Sequence, residues 1–211
     1  MDLLWGEIMF RYIDEVVLSF DLSGWQSDLV ASLIFVLLIL SAVPIIGIVM
    51  NRIELLQMKL LSKLFGTKIA EFICNRLLFM GTVIHELSHA LFAFLSGAVV
   101  TKIRCFTLFS KDTLGYVMFS TKGNTFKRSF QLAFTSCAPT VTGCLLIMLL
   151  TCLFRNLNTS ISYKAIIIYL GLSIVDHMSM SPVDAKNYLK GCVCIFVVFF
   201  VFAVAFHHFC M

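Results

Sequence analysis

No charged residue falls between Asp28 and Asn51 in this 211-residue chain. An uncharged helix over 29–50 is long enough to cross roughly 30 Å of hydrocarbon, so this run fixes the solvent before it fixes the fold. Further apolar blocks follow at 72–100, 129–154, 165–183 and 191–211, separated by short polar stretches. The composition agrees: 60% of residues are hydrophobic and 13% are charged, where a soluble domain carries about 25% charged residues. A soluble fold of this size has too little interior to hide that much apolar surface. Disordered, collagen-like and small disulfide-scaffold classes are excluded, and a soluble enzyme is disfavoured. The expected fold is an all-α polytopic membrane protein with about five transmembrane helices, or four with a re-entrant segment, forming a single membrane-embedded domain over 1–211.

The segments between the blocks have their own character. Residues 1–28 form an amphipathic N-terminal segment, with Ile8, Met9, Tyr12, Ile13, Val16 and Val17 at near-helical spacing. Asp2, Glu7, Asp14 and Glu15 stand where a signal peptide needs a basic region. Residues 51–70 place Arg52, Lys59, Lys63 and Lys68 among Leu, Ile and Met, the pattern of a basic interfacial helix. Over 101–121, β-branched and aromatic residues flank a turn-like stretch holding Asp112 and Gly115, which predicts a small β-hairpin. The eight cysteines include no C-x-x-C pair and sit mostly inside apolar blocks, so they read as small hydrophobes. The net charge of +4 comes in short runs beside apolar blocks. It reads as anchoring to a lipid bilayer rather than as a nucleic-acid footprint, and the Lys/Arg balance leaves the orientation and the oligomeric state open.

The block at 72–100 is not apolar throughout. It contains His85-Glu86-Leu87-Ser88-His89, an H-E-x-x-H motif. On a helix, i and i+4 share a face, so the two imidazoles can grip one Zn²⁺. Glu86 stands beside that face, where it can act as general base toward a zinc-activated water. Ionisable groups are expensive within a membrane span and mark function by default. A metal satisfies several of them at once.

A catalytic zinc site needs a third protein ligand. The metzincin pattern would require Gly and His where Phe92 and Leu95 stand, and a downstream Glu is excluded because Glu86 is the last Glu in the chain. The remaining donors are Asp112, Asp176, His177, Asp184, His207 and His208. Asp112 reads as a solvated turn residue, and His207 and His208 lie at the chain end. Asp184 follows Pro182, where the fourth block breaks and an aspartate can open a short helix, and it is the preferred ligand. Asp176 or His177 is the alternative, and an acid that does not ligate could orient a histidine. The bland reading of Asp184 is a helix cap at the surface.

These pieces resemble the site-2 protease family of intramembrane zinc metallopeptidases. The resemblance covers most of 80–190: HELSHALFAFLSGAVVTKIRCF, the hairpin, SCAPTVTGC with Pro139 and Gly143, and a late membrane-embedded aspartate. The sequence departs from the family's N-P-x-x-D-G pattern by reading S-P-V-D-A-K around Asp184, as in a divergent, minimal member without a PDZ domain. The resemblance implies proteolysis of a membrane-associated or transmembrane protein substrate within or beside the bilayer, with the plasma membrane as the expected location.

The residues support such a mechanism on physical grounds. Water must reach a site at membrane depth, so a polar cavity is expected, lined by the Asp176–Asp184 stretch with Ser179 and Ser181. A transmembrane substrate must unwind locally, and the hairpin over 99–121 could hold it as an added strand or be a scaffold loop only. The histidines must be neutral to bind metal, so activity is expected to fall at acid pH. Two other classes compete: a membrane metal transporter or sensor, and a non-catalytic membrane scaffold that retains the motif. Neither needs Glu86.

Overall fold

A computed structural model describes residues 13, 15, 24–107, 114–156 and 160–210. The first long element, α1 (Trp25–Phe65), runs without a break through the expected span at 29–50 and most of the expected interfacial helix at 51–70. The polar residues after Asn51 do not end it, because Arg and Lys are good helix formers and no Gly or Pro intervenes. Gly66, with φ of 84°, ends it by a conformation that glycine adopts freely. At 41 residues this helix is about 60 Å long, roughly twice the hydrocarbon thickness. The amphipathic reading of 1–28 falls almost wholly outside the described residues.

The block expected at 72–100 is broken rather than continuous. A short helix α2 (Thr67–Phe72) passes into a π-helical turn (Ile73–Leu77), and α3 (Phe79–Leu95) follows with a bend of 48° between the two halves. Helix α3 ends in a Schellman motif: Ala98 N–H donates to Ala93 O at 2.9 Å and Gly97 N–H to Phe94 O at 3.0 Å, with Gly97 at φ of 77°. The chain then enters an antiparallel pair, β1 (Val99–Arg104) and β2 (Tyr116–Ser120), which begins two residues earlier than the expected 101–121. The register pairs Val99 with Ser120 and Arg104 with Tyr116, and a bulge falls between Val100 and Lys102. The extra residue, Thr101, donates its hydroxyl to Met118 O at 3.0 Å, which satisfies the disturbed ladder locally. Asp112 lies outside the described residues.

The expected span at 129–154 is two helices, α4 (Thr125–Ser136) and α5 (Ala138–Asn156), meeting at Cys137. Asn124 caps α4 by accepting from Lys127 N–H at 2.9 Å. Helix α6 (Ile161–His177) stops short of the expected 165–183. Its 17 residues reach about 25 Å, less than the hydrocarbon thickness. After four non-helical residues, α7 (Pro182–Cys210) begins and runs through the block at 191–211. Asp184 therefore opens a long helix, not a short one. The protein is a mostly α polytopic membrane protein with a small hairpin. Among the described residues, three helices are long and apolar enough to span, or four if the bent pair counts as one, against the expected five, or four with a re-entrant segment.

The chain divides into two compact units: 1–42 with 192–211, and 43–191. In the first, Ile13 and Ala31 are buried against Val30, Ile34 and Phe35. The second is packed on small and polar residues. Ala70, Ala93, Ala133 and Ala138 are fully buried together with Gln131, Thr135 and Ser173. Leu87, Leu91, Phe94 and Leu95 of α3 face outward. That inversion suits lipid, where Leu gains nothing by leaving the solvent and small residues allow close helix approach.

Candidate metal centre

Helix α3 is held where backbones approach closely. Gly81 N–H donates to Ser173 Oγ at 2.6 Å, and Ser173 Oγ donates to Leu78 O at 2.6 Å. A side chain at Gly81 would run into the Ser173 carbonyl and the His177 ring. Tyr169 donates its hydroxyl to Leu77 O at 2.9 Å. The carbonyls freed by the π turn are thus satisfied by α6, as buried backbone requires.

One and two turns further along α3 stand His85 and His89. His85 Nδ1 lies 2.6 Å from the His177 carbonyl, and His89 Nδ1 lies 2.9 Å from the Thr135 carbonyl. A carbonyl only accepts, so each Nδ1 carries a proton, and each ring in its neutral form presents a lone pair at Nε2. Those two nitrogens face one another at 3.2 Å. Two lone pairs at that separation repel unless a cation sits between them. The His89 Nε2 atom is also 3.5 Å from Asp184 Oδ2. One donor atom from each of His85, His89 and Asp184 lies within 4.8 Å of the others. For ligands about 2.0–2.1 Å from a tetrahedral ion, the expected ligand–ligand spacing is about 3.3 Å. Two neutral imidazoles and a carboxylate suit zinc by chemistry as well as by spacing.

Asp184 is delivered by a capping box. Ser181 is the N-cap of α7, Pro182 the first helical residue, and Asp184 the third. Ser181 Oγ accepts from Asp184 N–H at 3.1 Å, and Asp184 Oδ2 accepts from Ser181 Oγ–H at 2.6 Å and from Ser181 N–H at 3.3 Å. The capping reading and the metal reading are therefore compatible, with Ser181 rather than Asp184 as the cap. The preceding loop is seated by Thr140, whose hydroxyl donates to Met178 O at 3.1 Å. Met178 packs onto Gly143, where an added methyl group would come within 2.7 Å of its Cβ.

Asp176 is buried elsewhere on the wall, with Oδ2 3.8 Å from His177 Nδ1, and it is not among the converging donors. The orienting role considered for this stretch falls to the His177 backbone carbonyl instead of to an acid. The side chains of His207 and His208 lie outside the described residues.

Glu86 is buried, at 9% exposure, and lines a cavity of about 1120 Å³ together with Thr82, His85, His177, Ser179 and Ser181. Glu54, Lys68, Glu71 and Arg76 also line it, alongside Met58, Phe72 and Leu114, so the recess mixes charged and apolar surface. Ser179 Oγ donates to Glu54 Oε2 at 3.0 Å across it. Gly115, just before β2, passes over the acid. A methyl group there would sit 2.8 Å from Glu86 Cγ and 2.8 Å from Cys105 O.

Several positioning groups escape sequence reasoning. Gln131 is fully buried; its Oε1 accepts from Lys122 N–H at 2.9 Å and its Nε2 donates to Ser96 O at 3.0 Å, which ties both ends of the hairpin to α4. Four residues on, Thr135 holds His89. The carbonyls of Thr135 and His177 leave no mark in a sequence. Ser181-Pro-Val-Asp184 did offer a signal, the S-x-x-D capping pattern.

The sequence model of the Peptidase M50B-like family matches residues 69–210, from α2 through the end of α7. Comparison with curated proteins and with solved structures finds no match.

Proposed function

Because the chain belongs to the Peptidase M50B-like family, that of the site-2 proteases, we propose that it is a zinc metalloendopeptidase of membrane-protein substrates, with the plasma membrane as its location. His85, His89 and Asp184 would hold one Zn²⁺, and Glu86 would be the general base. The observation that carries this reading is the convergence of one donor atom each from His85, His89 and Asp184 within 4.8 Å, next to a buried Glu86 that lines a large cavity together with His85.

When bound, zinc lowers the pKa of water toward about 7 and polarises the scissile carbonyl. The residues of the chain do the rest. The His177 and Thr135 carbonyls fix the tautomer and direction of both imidazoles, which raises their basicity toward a cation. The Ser181 hydroxyl and N–H hold the Asp184 carboxylate in place. Glu86 takes the proton from the attacking water and returns it to the leaving amine. The cavity admits water and an unwound stretch of substrate, and the fixed dipoles around it act in a medium of low dielectric.

The test is a pair of variants in purified, reconstituted protein. Glu86→Gln is expected to lower peptide hydrolysis by about 10²–10⁴-fold while zinc stays stoichiometric. His85→Ala is expected to lose both. A transporter or sensor would keep its function in Glu86→Gln, and full activity in that variant refutes the protease reading.

A further inference from the structure

We propose that the hairpin and the start of α4 form a binding face for anionic phospholipid head groups, independent of the peptidase reading. Residues 99–128 carry six Lys or Arg and one acid, Asp112. Lys102, Arg104, Lys122, Lys127 and Arg128 are all exposed. Among the described residues none of the five is paired with a carboxylate.

The strand register sorts the hairpin into two faces. Val100, Ile103, Val117 and Phe119 share one face, half-buried except for the exposed Ile103, while Lys102, Arg104, Tyr116 and Met118 share the other. On that outer face Lys102 Nζ and Arg104 Cζ lie 5.6 Å and 5.7 Å from the Tyr116 ring centroid. The Lys102 ammonium, hydrogen-bonded to the Tyr116 hydroxyl, pulls that phenol below its ordinary range. Lys127 lies along Gly123 and Gly97 at the hairpin base. Exposed Met118 shares the face of Lys102 and Arg104, and exposed Phe126 directly precedes Lys127 in the first turn of α4.

The partner follows from charge and position. Helix α4 buries Gln131, Ala133, Thr135 and Ser136 and leaves its first turn outside. Helix α5, one of the candidate spans, begins at Ala138, directly after it. Cations with no carboxylate partner among the described residues, interleaved with apolar and aromatic side chains on the segment that leads into a candidate span, match the interfacial layer of a membrane. A soluble acidic protein would complement the charge but not the apolar residues between.

Full-length protein in nanodiscs of phosphatidylcholine, with and without phosphatidylserine, gives the test by amide hydrogen exchange. We expect exchange in 99–107 and 114–128 to slow at least fivefold with phosphatidylserine, since each cation contributes about fivefold. High salt should reverse the effect. K122Q/K127Q/R128Q should lose it, and K122R/K127R, which keeps the charge, should retain it. Equal exchange in both lipids overturns the proposal. So does slowing that persists in the triple Gln variant, or slowing produced by polyglutamate in phosphatidylcholine and not by phosphatidylserine.

Discussion

Within the 43–191 unit two departures from α-helical geometry near the candidate metal centre can be compared, at Ile73–Leu78 and at Met178–Ser181. Both interruptions free backbone groups, and they are satisfied in opposite ways. At the first, the Tyr169 and Ser173 hydroxyls donate to the Leu77 and Leu78 carbonyls. At the second, the freed His177 carbonyl accepts a hydrogen bond from His85 Nδ1–H, and the new helix start brings Asp184 Oδ2 to 3.5 Å from His89 Nε2. A break in a buried helix is costly wherever it occurs. The first break is satisfied within the scaffold, while the second directs its polar groups at the two histidines of the donor cluster. Packing alone distinguishes a hinge in the scaffold from a piece of the site.

Zinc affinity offers a direct way to break this contrast. Asp184→Asn is expected to weaken zinc by more than about 100-fold, beyond the range for losing an outer-shell partner, measured by competition with a chelator. Asp176→Asn, a buried acid on the same stretch outside the donor cluster, is expected to leave affinity within a few-fold. The reverse ranking would assign the third ligand to the wrong acid. Ser181→Ala sharpens the point. It removes the cap and the strongest hold on Asp184, and should cost about 1 kcal/mol of stability and about tenfold in zinc affinity. At the other break, Ser173→Ala removes the hydroxyl bonded to both the Gly81 N–H and the Leu78 carbonyl, which keep only their own 3.2 Å bond to each other. We expect a loss of about 1–3 kcal/mol in unfolding experiments with zinc affinity unchanged. Loss of zinc in Ser173→Ala equal to that in Ser181→Ala would erase the distinction between the two breaks.

How legible each part was in the sequence follows from what side chains can and cannot encode. The H-E-x-x-H turn was plain, because i, i+4 spacing is a property of residue types alone. Asp184 was accessible because Ser-Pro-x-Asp names a helix start. The span count was not. Lys and Arg after Asn51 look like a boundary but are compatible with continued helix, so two expected segments are one α1. The break at Ile73–Leu78 has no Gly or Pro to announce it; it exists because Tyr169 and Ser173, nearly a hundred residues away, can satisfy it. Gln131 shows the same limit. A lone Gln near the start of the expected span at 129–154 does not name its partners, and only the fold reveals that both ends of the hairpin hang on it.

Gly115 has a consequence for inheritance. The backbone there passes so near Glu86 that even a methyl group has no vacant space. Every missense change at that codon installs at least that methyl. A saturation scan should therefore find this half-exposed loop position as intolerant as the motif on the helix below it.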